Sequence, residues 1–239
     1  MKTLIKKVLP VSLACFFIPA AFANMTVYPM AVSMGANGEG SVRVISKSND
    51  VQYVRTKVFK ITNPATPEEK EVEVSGNDGT GLVVMPPLFA LPGGASKLVR
   101  MEAMDPDQKE AIYRVMFQSV PSLDDASTAN TSTISSKLSV NLVWGVLVSV
   151  PPQQPVIKLT LSGDKHQLLN QGTQRVKITD IALCRAGQSG KTCQHKTDNR
   201  NIFPDGQYQL PSLSGIQHIE ITYKDWIAKK NGSQSFVVN

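Results

Sequence analysis

Apolar residues recur at every second position along much of the chain, and the most sustained run is Leu138 to Val150. Leu138, Val140, Leu142, Trp144, Val146, Val148 and Val150 fall on one face of an extended segment. The opposite face begins polar at Ser139 and Asn141 and turns partly apolar at Val143, Gly145 and Leu147. Alternation of this kind predicts a strand that buries one side. At roughly 3.3 Å per residue the run would reach about 43 Å, long for a strand in a small domain. It stops at Pro151-Pro152. Two readings stand side by side. The run is either the inward face of an ordinary core strand, which periodicity alone favours, or a free edge that pairs with another chain.

The rest reads as short strands separated by turns, as in β-sandwiches. In the first half the alternation predicts strands over Val27 to Val32 (interrupted by Pro29), Ser41 to Ser46, Gln52 to Ile61, Glu71 to Val74, Leu82 to Met85, Ser96 to Met101 and Ile112 to Val120. Gly76 to Gly79 predicts a hairpin turn, and Asp105 to Lys109 a single helical turn. The polar run Pro121 to Ser136 predicts a mobile loop feeding the long strand. Pro151-Pro152-Gln-Gln-Pro155 is a natural linker, because prolines cannot continue a ladder. Beyond it the expected strands are Val156 to Leu161, Arg175 to Cys184, Ile216 to Tyr223 and Ser235 to Val238. The expectation is an all-β chain of two sandwiches in series, divided as 24–152 and 153–239.

Residues 1–23 stand outside that scheme. Lys2, Lys6 and Lys7 precede an apolar core from Val8 to Ala20, and Ala21-Phe22-Ala23 is a small-x-small cleavage site. This is the pattern of a cleavable signal peptide, which implies an exported protein. Its removal leaves 216 of the 239 residues and lowers the formal charge from +6 to +3. So small a charge gives no argument for nucleic acid. Of the three cysteines only Cys184 and Cys193 remain, and an even count in an oxidising compartment predicts a disulfide. The rival is a metal site on Cys184, Cys193 and His195, which lacks a fourth ligand and the tight C-x-x-C spacing.

Catalytic chemistry finds no foothold. His166, His195 and His218 are isolated, and no nucleophile elbow, zinc helix, phosphate loop or dinucleotide fingerprint is present. No pair of carboxylates has a telling spacing. The expectation is a protein that is not an enzyme and uses no cofactor or metal.

A series of motifs points to a family. Val42-Arg-Val-Ile-Ser-Lys-Ser48, Asn63-Pro-Ala-Thr-Pro-Glu-Glu-Lys-Glu-Val72, Gly81-Leu-Val-Val84, Leu91-Pro-Gly-Gly-Ala-Ser-Lys97, Tyr113-Arg-Val115 and Leu138-Ser-Val-Asn141 occur in order. Together they resemble the periplasmic chaperones of class 5 fimbriae, the alternate branch of the chaperone–usher system. The likeness is close from about Tyr28 to Pro152. It thins afterwards, where the paired cysteines and Asn201-Ile-Phe-Pro204 still fit. It implies two immunoglobulin-like domains in a boomerang, and a last strand of the first domain that completes the fold of a pilin. Leu138, Val140 and Leu142 match the donor positions, with Trp144 and Val146 as further plugs. Pro86 and Pro87 match a proline pair of the first domain, and Glu110 an acidic residue near the cleft between domains.

One departure matters. The wider superfamily holds the terminal carboxylate of its pilin with an arginine of the first strand and a lysine of the donor strand; the corresponding places here fall near Pro29 and Leu147. A buried carboxylate without a cation is costly, so another base is expected to serve: Arg114 first, then Arg100 and Lys47. The partners implied are major and minor fimbrial subunits and an outer-membrane usher, with self-association through the donor edge as a further expectation. The competing function is a minor pilin or adhesin. A pilin is expected to carry its donor segment near the mature N-terminus, whereas the best donor strand here is in the middle.

Overall fold

A computed structural model describes residues 24–75, 81–121 and 142–238. The expected signal peptide, the Gly76–Gly79 turn, nearly all of the polar loop and donor positions Leu138 and Val140 lie outside the described residues.

The first half builds a sandwich of two sheets. One joins β1 (Met25–Tyr28), β3 (Glu39–Ser46), β8 (Ser96–Met104) and β6 (Gly81–Met85) in that order. The other runs β2 (Ala31–Ser33), β10 (Val143–Val150), β9 (Ala111–Val120), β4 (Gln52–Thr62) and β5 (Lys70–Val74), with β7 (Leu88–Leu91) also on β4. Alternate residues of both sheets, among them Val44, Val99, Val115, Phe117, Val146 and Val148, are fully buried between them. Pro29 lies where the first strand changes sheets: β1 pairs with β3 and β2 with β10. Proline has no N–H to donate, so the ladder cannot continue through it.

The second half has its own buried cluster, including Leu168, Val176, Ile178, Ile181, Ile219 and Ile221. One sheet is β11 (Leu159–Leu161), β12 (Gln167–Asn170) and β15 (Gln207–Gln209). The other is β14 (Gln194–Ile202), β13 (Val176–Cys184), β16 (His218–Asp225) and β17 (Lys230–Val237). Cys184 and Cys193 form a disulfide at the turn between β13 and β14. That consumes both thiolates a metal site would need. His195 instead places Nδ1 2.7 Å from an oxygen of Asp180 and Nε2 3.2 Å from the Gly190 carbonyl. The hydrogen bond to Asp180, then that to Gly190, holds the His195 pKa above its usual 6.5.

Several expectations need correcting. Asp105 to Lys109 makes no helical turn. Asp105 has φ 48°, and the Asp107 carbonyl accepts from the linker amide of Gln153 instead of from a helix. The Val156 to Leu161 strand is cut to β11, because Val156 exchanges bonds with Thr173 through its N–H and C=O. Strands β7, β12, β14 and β15 add to those the alternation predicts. Strand β14 is almost wholly exposed and polar, so it carries no alternation to read.

The two cores share no residue, which gives a testable separation. Phe117→Ala should cost the first domain about 3–5 kcal/mol and leave the unfolding of the second, followed by tyrosine-resolved NMR, near its original midpoint. A single transition displaced as a whole would contradict independent cores.

Candidate functional site

Strand β10 is paired along its length on one side only. Antiparallel β9 accompanies it from Val143 to Val150. On the other side parallel β2 covers only Leu147, Val148 and Ser149. The Leu147 amide donates to Met30 O at 3.0 Å, and Ser149 O accepts from Met34 at 2.9 Å. Residues of the same parity turn their backbone groups the same way, so Val143 and Gly145 present theirs to an edge with no strand on it among the described residues.

The side chains of β10 divide at Trp144. Val146, Val148 and Val150 are closed into the chain's own core, and Trp144 packs against its margin. Val146, which the resemblance implies as a further plug, is at 0 % exposure and lies in the chain's own core. Leu142, next on the same face, is 49 % exposed. The inward face thus passes from core to solvent toward the start of the strand. On the outward face, Val143 and Leu147 are exposed.

The expected anchors separate by position. The outward face of the six-stranded sheet is built of rows set by register. Ile61, Ile112 and Ser149 form the row nearest the linker, buried although they face away from the core cluster. Phe59, Arg114 and Leu147 form a row one step farther out. Arg114 therefore lies directly across from Leu147, the place where the superfamily's lysine would stand. Its Nε is 2.5 Å from Glu71 Oε1, and both side chains are about one-third exposed (31 % and 34 %). Arg100 lies on β8 in the opposite sheet, in a shallow cavity lined by Glu39, Met85, Leu98 and Glu102. Lys47 follows β3, where its amide donates to Asn24, at the end of the sandwich away from the linker. Of the three, Arg114 alone lies in the same sheet as β10.

At the linker end the two domains are tied by a buried carboxylate. The Glu110 side chain is 0 % exposed and pairs with Arg175 Nη1. Its Oε2 accepts from the Arg175 amide at 2.7 Å and from Trp226 Nε1 at 3.1 Å. The Glu110 amide donates to Thr173 O at 2.8 Å, and Arg175 Nη1 donates to Ser149 Oγ at 3.0 Å. The guanidinium also stacks 4.5 Å from the Trp226 ring centroid. Burial pulls the Arg175 pKa down to about 10, so it remains a cation at neutral pH. Sequence reasoning places Glu110 near the cleft and misses Arg175, Trp226 and Ser149, for which no local signal exists.

With this geometry in view, comparison with known proteins is decisive. The pili and flagellar-assembly chaperone N-terminal domain (PapD type) matches residues 28–145. A CFA/I fimbrial subunit of Escherichia coli is 33 % identical over 89 % of this chain and 90 % of its own length. A CS1 fimbrial subunit of Escherichia coli is 34 % identical over 94 % of this chain and 97 % of its own. The chain belongs to the pilus chaperone family. The crystal structure of the class 5 fimbriae chaperone CfaA superposes with a TM-score of 0.74 at 30 % identity, over 90 % of this chain and all of that one. A second structure, described as a chaperone–tip adhesin complex in CFA/I fimbriae biogenesis, gives 0.72 at 30 % identity over 89 % of this chain and 98 % of that one. This pilus chaperone is therefore a class 5 member with two immunoglobulin-like domains and a role in fimbrial assembly. No helix among its described residues is long and apolar enough to cross a membrane.

The interdomain carboxylate makes a prediction. Arg175→Ala strands a buried charge and should cost about 3–5 kcal/mol in denaturant unfolding, with a broader distribution of interdomain distances in solution scattering. Destabilisation under about 1 kcal/mol with unchanged scattering would show that the tie is not what holds the domains.

Proposed function

We propose that this chaperone captures major and minor fimbrial subunits by lending them the open edge of β10, and passes them to an outer-membrane usher. The chain then divides as 24–152, which carries the donor strand, and 153–239, with 1–23 a cleavable signal that delivers it to the periplasm. This function requires neither catalysis nor a cofactor. The observation that carries it is the stretch Val143–Val146 of β10, left uncovered by every strand among the described residues and continuous with the exposed Leu142. An edge left open in a soluble protein invites pairing, and strand addition turns that liability into recognition. The adhesin complex described for a relative of the same fold supports a fimbrial component as the occupant.

In this scheme Leu138, Val140 and Leu142 enter the groove of the captured pilin, with Trp144 at the boundary between the two cores. Each large side chain that becomes fully buried is worth roughly 1.5–3 kcal/mol. Three of them, added to main-chain bonds, stabilise a complex without the chaperone's own core giving anything up. Arg114 receives the terminal carboxylate of the pilin. Leu147 across from it offers no charge, and a guanidinium is suited to holding a carboxylate with two parallel bonds.

Co-expression with fimbrial subunits tests the proposal. The wild-type chain should yield a one-to-one complex through purification. Leu142→Glu should abolish it while the free protein still melts at its normal temperature, since Leu142 lies outside the core. An intact complex with Leu142→Glu would rule out strand donation. Arg114→Ala should weaken capture by at least about tenfold, the loss of one charge-assisted contact of ~1.5 kcal/mol; undiminished capture would leave the anchor elsewhere.

A further inference from the structure

Arg114 already holds a carboxylate in the free protein, and the way it is held bears on how a partner is released. Resting on the anchor assignment above, we infer that Glu71 is a resident stand-in for the terminal carboxylate of the pilin, displaced on capture and restored on release.

The geometry has three parts. The pair is made through Arg114 Nε, 2.5 Å from Glu71 Oε1, and no described residue supplies a carboxylate to the two Nη groups. The stem of Arg114 lies against Gly145 of β10. A Cβ at that position would come within 3.1 Å of Arg114 Cδ and 3.4 Å of Cγ, so the glycine lets the stem lie close where a larger residue would push it by a few tenths of an ångström. Glu71 sits on β5, the outermost strand of the sheet on the far side from β2, where its residue is exposed. It can swing into water at little cost, whereas Arg114 is fixed between β4 and β10.

The consequence is an exchange of one carboxylate for another. A guanidinium one-third exposed keeps a counterion before, during and after binding. The net gain from the anchor is then the pilin pair less the resident pair, smaller than an unoccupied guanidinium would supply. The adjacent pair, Lys57 with Glu73 at 3.0 Å, lies one row farther along the same face and is a built-in control.

The test uses the full chain with 15N-labelled arginine, the Arg114 Nε–H signal being assigned by its loss in Arg114→Lys. Acetate is the probe and acetamide the neutral control. Acetate should shift the signal saturably and acetamide should not. Glu71→Gln should tighten acetate binding by up to about fivefold, the equivalent of one exposed ion pair, and Glu73→Gln should not change it. If acetate binds at Arg114 with the same affinity in Glu71→Gln and in wild type, the stand-in role is overturned and the anchor assignment stands. If acetate leaves the Arg114 signal unmoved in both proteins, the anchor assignment fails and the inference fails with it.

Discussion

Main-chain hydrogen bonding along β10 is complete on one side and stops after three residues on the other. The rest of the first domain is arranged around that asymmetry. Pro29 breaks the first strand, so only Ala31–Ser33 reaches β10 and the upstream piece goes to the opposite sheet. Had β2 extended upstream, it would have paired with Gly145 and Val143 and closed the sandwich. A strand edge in water is a hazard that soluble proteins normally cover. Here the covering among the described residues is partial, and the part it leaves adjoins exposed apolar side chains.

Holding such an edge in place requires a rigid frame, and the two ends of β10 are treated differently. Toward the linker, Val146, Val148 and Val150 are locked into the core, and Ser149 is gripped by Arg175 from the second domain. Toward the start of the strand, core contacts fade through Trp144 to Leu142. The Glu110 carboxylate at the linker is buried with nearly every lone pair occupied, the condition under which a buried ion pair is tolerated. It connects the orientation of the second domain to the end of β10.

Much of this is legible in the sequence where apolar alternation is strong. Strands β3, β4, β8, β9 and β13 follow from it, as does the interruption at Pro29. What escapes shares a cause: no periodic signal marks it. Strand β14 is polar on both faces and held only by β13. Val146 has the same alternation whether it fills its own core or another protein's, so pattern alone cannot assign it. Arg175 and Trp226 lie 65 and 116 residues from Glu110 and meet it only in the folded chain. The placement of Arg114 across from Leu147 is likewise a matter of register.

Strand donation stands or falls with the β10 edge from Val143 to Val146 being open in the free chaperone and closed by a captured pilin. Amide hydrogen exchange, resolved by residue, measures this directly. The Val143 and Gly145 amides should exchange rapidly in the free protein while that of Leu147, bonded to Met30, is slow. In a purified complex with a fimbrial subunit all three should be slow. Equal protection of Val143 and Gly145 in the free and bound chaperone, whether both fast or both slow, would be incompatible with strand donation.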